Sequence, residues 1–189
     1  MTETLTTPCR LGIRTAPNRL VAQAMEINSA EDGGVSPAIV ERYRKLAAGG
    51  WGVVFVEAIS ITGRHLARRR GLVITRQHLD GFKRLVDAFK RTNDRSLLLF
   101  QLSHSGRLSG PFSTIVKAYE DGDPPGVPML SEAELDEAVE QCVDAAFLAR
   151  DAGADGVDIK ACHGYLGGEL LRPANDRAEL TVKVLARNA

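Results

Sequence analysis

Short apolar runs alternate along this chain with longer stretches of helical periodicity. Two runs, 53–56 and 97–100, contain only aliphatic and aromatic residues, which is typical of strands buried on both faces of a parallel sheet. Two weaker strand candidates, 19–25 and 156–160, are interrupted by polar residues. Four strands separated by three helices predict the order β-α-β-α-β-α-β, in which each helix carries the chain back across a parallel sheet.

The predicted helices have recognisable ends. The first begins at Ser36-Pro37, an N-cap followed by proline at the first helical position, and ends at Gly49-Gly50. The second is indicated by apolar residues at helical spacing over 79–89. The third begins with a capping box at 131–134 and ends at Gly153.

Polar residues at the ends of the predicted strands favour a closed barrel over an open sheet. They are Gln23 and Glu26 after the first strand, Glu57 after the second, Gln101 after the third and Lys160 after the fourth. In a barrel these ends converge on one mouth, where active sites are found. The nucleotide-binding glycine motifs typical of open sheets do not occur in the sequence. The fold class is therefore predicted as α/β, a parallel β/α barrel of the TIM type.

The barrel is expected to be incomplete, with about four of its eight βα units, because a full barrel needs about 250 residues and this chain has 189. Residues 1–189 would form the N-terminal half of one barrel domain. Inward side chains of 53–56 and 97–100 should then be exposed, which predicts a homo-oligomer or a complementing second half-barrel. The proline-rich segment 106–130 is expected to cross the mouth without regular structure.

Charge and composition exclude several classes of function. Lys+Arg and Asp+Glu both number 24, so no net field favours nucleic acid or a membrane surface, and the run 68–70 is interpreted as a solvated loop. The N-terminus lacks signal-peptide features and no apolar stretch approaches about 18 residues, so a cytoplasmic protein is expected. The three cysteines form no C-x-x-C pair, and no metal site is predicted.

Two clusters carry residues that could perform chemistry. Lys160, His163 and Tyr165 place a cation, an imidazole and a phenol within six residues of a strand end, three donors that could hold and protonate a carbonyl substrate. The segment 101–107 begins with Gln101, whose amide must bind backbone groups or the edge of a planar heteroaromatic ligand. Spacing alone is not diagnostic for either cluster, and a structural role for each stays open.

Four segments, in this order, resemble the old yellow enzyme family of NADH:flavin oxidoreductases. They are Asn18 to Met25, Glu57-Ala58, Gln101 to Arg107 and Asp155 to Leu166. The fold of that family is an FMN-binding eight-stranded barrel, in agreement with the architecture predicted above. The resemblance implies FMN as the cofactor, NAD(P)H as the reductant, and an activated alkene or related carbonyl compound as the small-molecule substrate.

The resemblance also assigns roles by position. The positions that would contact the isoalloxazine ring are Gln23, Ala24, Met25, Glu26 and Ala58, and Gln101 would bind the pyrimidine edge of FMN. Lys160 and His163 match the two polar residues that hold the substrate oxygen. Tyr165 matches the tyrosine that supplies a proton in many members, so these three residues are the expected catalytic set.

The sequence departs from the family pattern at three places. Most members have histidine where this chain has Lys160, and Ala-Pro-Met where this chain has Gln23-Ala24-Met25. Because a charged lysine donates hydrogen bonds but cannot accept them, a more anionic substrate oxygen than that of a simple enone is expected. After Arg177 the family continues with a Tyr-Gly-Gly segment and further βα units that carry the FMN phosphate contacts. Residues 178–189 do not match that pattern, so the phosphate contacts are expected outside this chain.

Two other interpretations stay open at this point. A lysine at the end of a barrel strand could form a Schiff base, as in aldolase-type enzymes, if its pKa is depressed by burial or a neighbouring cation. That interpretation leaves the 101–107 segment unexplained. A non-catalytic half-barrel that needs a partner chain is the other alternative.

Overall fold

A computed structural model describes residues 2–120, 124–175 and 177 of the chain. The helices are α1 (Thr2–Thr6), α2 (Pro37–Ala48), α3 (Leu79–Thr92), α4 (Glu132–Ala152) and α5 (Leu166–Leu170). The strands are β1 (Cys9–Leu11), β2 (Arg14–Ala16), β3 (Val21–Ala22), β4 (Val53–Ser60), β5 (Leu72–Val73), β6 (Leu97–Ser103) and β7 (Gly156–Ile159). No helix among these residues combines the length and the apolar character needed to cross a bilayer.

The main sheet is parallel and has the strand order β3-β4-β6-β7, with the short β5 beside the end of β4. Helices α2, α3 and α4 connect these four strands in turn. The structure therefore confirms the predicted β-α-β-α-β-α-β order and an incomplete β/α barrel. Within the described ranges, β3 and β7 are the edges of this sheet and do not pair with each other.

The helix ends follow from the sequence signals. The Ser36 hydroxyl oxygen accepts a hydrogen bond from the Ile39 N–H, and Pro37 is the first residue of α2. At α4, Ser131 and Glu134 form both halves of the predicted capping box, so two otherwise unpaired N–H groups are satisfied. Gly153 ends α4 with φ of 92°, a left-handed conformation that glycine adopts without steric cost.

The larger core lies between the sheet and its helices. Alternate strand residues, Val54 and Val56 of β4 with Leu98 and Phe100 of β6, are fully buried on this face. The Phe100 ring lies 5.4 Å from the ring of Phe82 on α3. Each such aliphatic or aromatic side chain contributes about 1.5–3 kcal/mol by its burial, so this face provides most of the stabilisation of the unit.

The opposite face of the sheet is covered more than the sequence predicted. The β1–β2 hairpin brings Ala16 against Val53 and Leu97, and all three are buried. The expectation that inward side chains of 53–56 and 97–100 stay exposed is therefore wrong for Val53 and Leu97, because a hairpin that the sequence did not predict covers them. Phe55 and Leu99 are only partly buried in the same cluster.

Exposed apolar residues occur in several places, and one group of them lies on the outer side of the β7 edge. Val143 and Phe147 of α4 and Val157 and Ile159 of β7 are exposed. An apolar groove of about 290 Å³ runs between these two elements and α5. This surface is called the α4–β7 groove below.

The segment between β6 and α4, predicted as an irregular crossing, is mostly irregular but well anchored. It begins with a short 3-10 turn at Gly106–Leu108, and Val116, Ala118 and Tyr119 are buried against Leu166 of α5. Residues 106–120 are called the cover segment below. They lie at the end of the sheet where β6 and β7 terminate.

Candidate active site

The parallel sheet brings the predicted polar residues to one end of the molecule. The segment 23–26 follows β3, Glu57 and Ala58 lie near the end of β4, Gln101 lies near the end of β6, and Lys160 follows β7. Because all four strands run in the same direction, these residues share the C-terminal edge of the sheet. This edge is the candidate active site.

Gln101 is held by an acidic neighbour on the adjacent strand. Its side-chain Nε2 donates to Asp158 Oδ2 over 2.8 Å, and the two residues face each other in the β6–β7 register. In the part of the chain that the structure describes, the Gln101 side-chain oxygen has no hydrogen-bond partner. The amide therefore presents an acceptor to the site. Asp158 was not predicted as a site residue, although a polar residue inside a predicted strand could have indicated it.

Lys160 extends the β7 ladder by one hydrogen bond and is buried. Its backbone N–H donates to Leu102 O over 2.9 Å, and the residue is only 9 % exposed. The side-chain nitrogen lies 3.8 Å from the centre of the Tyr165 ring, within the range of a cation–π interaction. Among residues 2–120, 124–175 and 177, no carboxylate oxygen lies within 4.0 Å of this nitrogen.

Tyr165 is 5 % exposed and precedes α5 directly. Burial raises the pKa of its phenol to about 12, and the negative charge of Glu26 adds to this, while Arg68 acts in the opposite direction. The phenol therefore keeps its proton at neutral pH. The Glu26 carboxylate, which follows β3, is therefore near enough to act on the Tyr165 phenol, which follows β7.

His163 lies apart from the Lys160–Tyr165 pair. Its ring Nδ1 is 3.0 Å from Cys162 Sγ, and both residues are exposed. His163 and Gly164 have φ of 58° and 71°, so two successive left-handed residues form the turn into α5. Within the described residues, no hydrogen bond or ring contact joins the His163 side chain to Lys160 or Tyr165.

A buried ion pair anchors the short helix that follows Tyr165. Arg107 of the cover segment pairs with Glu169 of α5, whose side chain is 0 % exposed. Glu169 Oε2 also accepts from the Ala118 N–H over 3.2 Å, and the Leu166 N–H donates to His104 O. Glu169 thereby ties α5 to the cover segment, a role that no sequence pattern indicated.

Glu57 fixes the backbone that follows the first barrel strand. The residue is 1 % exposed, and its Oε2 accepts from the Ile27 N–H over 3.0 Å. Its own N–H donates to the Tyr43 hydroxyl oxygen over 2.6 Å. Burial raises the pKa of the Glu57 carboxyl, and the Ile27 N–H opposes that shift. Glu57 therefore fixes the backbone directly after the 23–26 segment.

The arginine run 68–70 is exposed, in agreement with the predicted solvated loop, and it also contacts separate parts of the site. Arg68 pairs with Glu26 at 3.6 Å, and the Arg69 guanidinium lies 5.0 Å from the ring of Phe112 in the cover segment. The Arg70 N–H donates to Asn28 Oδ1 over 2.9 Å. Three neighbouring residues thus contact both sides of the mouth.

His104 is a structural histidine in a dry environment. Burial lowers the pKa of its imidazole to about 3, and the nearby His65 adds to the effect. The two rings stack with centroids 4.4 Å apart. The Gly106 N–H donates to His104 Nδ1, so the ring is neutral and carries its hydrogen on Nε2.

Comparison with known proteins places the chain in a family. The model of the NADH:flavin oxidoreductase / NADH oxidase family matches residues 4–179. An NADPH dehydrogenase of Bacillus subtilis (strain 168) is 31% identical over 183 residues, which cover 93% of this chain and 53% of that enzyme. An NADH oxidase of Thermoanaerobacter brockii is 29% identical over 181 residues, 89% of this chain and 27% of that protein.

Solved structures agree in fold. The old yellow enzyme homologue from Zymomonas mobilis superposes with a TM-score of 0.83 at 22% identity, over 96% of this chain and 57% of that one. Morphinone reductase superposes with a TM-score of 0.80 at 23% identity, again over 96% and 57%. The chain spans about half the length of the NADPH dehydrogenases that it matches. By the family match across residues 4–179 and the half-barrel it folds into, the chain belongs to the NADH:flavin oxidoreductase / NADH oxidase family.

Proposed function

We propose that this chain is the N-terminal half of a flavin-dependent oxidoreductase that transfers hydride from NAD(P)H, through FMN, to an activated alkene or a related carbonyl substrate. The observation that carries the proposal is the Lys160–Tyr165 pair at the end of β7, beside Gln101 at the end of the neighbouring strand. A ring-binding amide and a proton donor on adjacent strand ends suit a reaction between a planar cofactor and a small substrate.

The residues present fit the FMN ring. The unpartnered acceptor oxygen of Gln101, held by Asp158, suits an N–H on the edge of a heteroaromatic ring. Ala58 is small and buried at a strand end, and Glu57 fixes the backbone after the first strand. The residues that would hold the ring are Gln23, Ala24, Met25, Glu26, Ala58 and Gln101. When bound, FMN supplies the acceptance and donation of hydride.

The substrate side rests on Lys160 and Tyr165. The Lys160 ammonium would donate hydrogen bonds to the substrate oxygen and so favour negative charge developing there. The Tyr165 phenol keeps its proton at neutral pH and would deliver it to the alkene carbon. His163 would join as a second donor after its ring turns away from Cys162.

The apolar α4–β7 groove is an argument for a partner chain. Exposed Val157 and Ile159 on an unpaired strand edge suit further βα units, from a complementing half-barrel or from a second copy. The location that we propose is the cytoplasm. The small-molecule substrate would enter at the C-terminal edge of the sheet.

One alternative has an observation in its favour. A buried lysine without a carboxylate partner among the described residues is also the setting of a Schiff-base nucleophile. Borohydride reduction in the presence of a small aldehyde, followed by intact-mass measurement, distinguishes the Schiff-base enzyme from the flavin-dependent oxidoreductase. A stable adduct on the wild-type chain that is absent in Lys160→Arg would support the Schiff-base enzyme.

Flavin titration of the purified chain tests the main proposal. We expect quenching of FMN fluorescence with weak affinity, and loss of that affinity in Gln101→Ala, because the ring-edge contact disappears. Gln141→Ala is the matched control, since the Gln141 side chain donates to Glu137 on α4, away from the strand ends. Absence of FMN binding by the wild-type chain, or equal binding by Gln101→Ala, would reject the proposed ring contact.

A further inference from the structure

The loop after β4 is strongly basic although the charges of the whole chain balance. Residues 61–71, called the arginine loop below, carry four arginines and no aspartate or glutamate. Arg64, Arg68, Arg69 and Arg70 are all exposed. A local excess of positive charge on an exposed loop attracts anionic ligands, so this loop is the part of the mouth where an anionic group of a ligand would bind.

Arg69 is oriented by an aromatic ring instead of by an acid. Its guanidinium lies 5.0 Å from the centre of the Phe112 ring in the cover segment, within the range of a cation–π interaction. The ring packs so closely against Gly110 that a Cβ there would clash with it. Within the described residues, no carboxylate oxygen lies within 4.0 Å of the Arg69 guanidinium. Arg69 is therefore held in place and keeps its positive charge for a ligand.

The arginine loop lies beside the positions proposed for the flavin ring and the proton donor. Arg68 pairs at 3.6 Å with Glu26, which belongs to the proposed ring contacts. Burial raises the pKa of the Tyr165 phenol, and the nearby charge of Arg68 opposes that rise. A long ligand whose reactive end lies at the ring could therefore extend a distant anionic group to Arg69.

We propose that Arg69, with Arg68 and Arg70, binds the 2′-phosphate on the adenosine ribose of the reductant, so that the site uses NADPH in preference to NADH. The inference rests on the proposed function and names the reductant of that site. A guanidinium donates paired, charge-assisted hydrogen bonds to a phosphate, and its planar face stacks on aromatic rings. With one face against Phe112, Arg69 offers its N–H edge to the phosphate and its other face to the adenine.

Two nucleotide fragments test the phosphate site by binding alone. Adenosine 2′,5′-bisphosphate carries the ribose phosphate of NADPH, and adenosine 5′-monophosphate is the corresponding part of NADH. Ligand-observed NMR titration measures the affinity of each for the purified chain. We expect the bisphosphate to bind at least about tenfold more tightly at low salt, and high salt should reduce that preference because these charges are exposed.

Substitutions assign the preference to Arg69. Arg69→Gln should remove most of it, and Arg69→Lys should retain only part, because lysine keeps the charge but has no planar face. Arg150→Gln is the matched control, since Arg150 is also exposed and lies 4.9 Å from the Phe147 ring, near the opposite end of α4 from the mouth. Circular dichroism melting of each variant establishes that the chain is folded.

Four results would overturn the inference. They are equal affinities for the two fragments, a preference that survives Arg69→Gln, binding of neither fragment, and tighter binding of adenosine 3′,5′-bisphosphate, which has the phosphate arrangement of coenzyme A. If FMN binds as expected and the phosphate preference is absent, the reductant is wrong and the proposed function stands. If the preference depends on Arg69 and FMN does not bind, the phosphate site stands and the proposed function is wrong.

Discussion

The amide nitrogen of Gln101 lies 2.8 Å from Asp158 Oδ2, and the two residues are direct neighbours across β6 and β7. A carboxylate only accepts hydrogen bonds. Gln101 must therefore turn its NH2 group toward β7 and its oxygen away from Asp158. Asp158 thus fixes which of two nearly isosteric orientations the Gln101 amide adopts.

Asp158→Asn should weaken FMN binding without removing Gln101 itself. Asparagine can both donate and accept, so the Gln101 amide is no longer held in one orientation. We expect about a threefold to tenfold loss of FMN affinity in a fluorescence titration, the range of one hydrogen bond. Asp136→Asn, an exposed change on α4, should have no effect. Equal affinity for all three proteins would show that Asp158 does not orient the amide.

Tyr165→Phe should slow one half of the proposed reaction. Because only alkene reduction needs the phenol proton, its rate should fall by about 10²-fold or more, while flavin reduction by NAD(P)H stays nearly unchanged. The measurement is stopped-flow absorbance on the holoenzyme assembled with its complementing half-barrel. Tyr119→Phe serves as control, since that phenol lies in the cover segment and accepts from Arg172. Equal slowing of both half-reactions would assign Tyr165 a structural role.

The order of strands and helices could be predicted because its signals are local. Apolar runs at 53–56 and 97–100 are long enough to specify buried strands, and Ser36, Ser131 and Gly153 specify helix ends through contacts within a few residues. The β1–β2 hairpin could not be predicted, since its strands have three residues each and show no clear alternation.

The site was predictable only in part for a related reason. The strand-end positions of Gln101 and Lys160 follow from the fold class and from the family resemblance. The contacts Gln101–Asp158 and Arg107–Glu169 join residues 57 and 62 positions apart, and they depend on strand register and on the path of the cover segment. No pattern within a single segment contains that information.

Stability should fall in mild acid because of His104. The pKa of this imidazole is lowered to about 3 by burial, so the unfolded chain binds a proton below about pH 6.5 that the folded chain does not. The contribution of neutral His104 to the free energy of unfolding is fully present above pH 6.5. It is lost as the pH falls toward 3, with a slope of up to about 1.4 kcal/mol per pH unit.

Urea unfolding between pH 7 and 4 measures this slope. In His104→Asn the Asn side-chain oxygen can still accept from the Gly106 N–H, and we expect a shallower decline of the unfolding free energy with falling pH than in wild type. His163→Asn, at an exposed position, should retain the wild-type slope. Parallel curves for wild type and His104→Asn would contradict the assignment.

Glu169→Gln should destabilise the fold far more than the loss of a surface ion pair. The substitution removes the negative charge of Glu169 from a buried ion pair with Arg107, and breaking a buried pair typically costs about 3–5 kcal/mol. Glu41→Gln, which breaks the exposed pair with Arg44, should change the unfolding free energy far less, because water screens that pair. Urea denaturation of both variants makes the comparison, and similar small changes would mean that α5 is held by other contacts.

The purified chain should associate through the α4–β7 groove. Light scattering should give a mass above the 20.4 kDa of one chain, because exposed Val143 and Val157, which line the groove, gain from burial. Val143→Lys should shift the population toward the monomer. Ile13→Lys, in the β1–β2 hairpin and 93 % exposed, should not. A monodisperse monomer for the wild-type chain would show that the groove needs no partner.

The loop after β4 and the cover segment are joined by backbone hydrogen bonds, from the Gly110 N–H to Leu66 O and from the Thr114 N–H to Arg64 O. Loops of β/α barrels are often treated as parts that evolution or an engineer can exchange one at a time. Here the two loops form a single transplantable unit. A chimaera that takes either loop from a relative must take the other with it, and insertions in one should be accompanied by compensating changes in the other across the family.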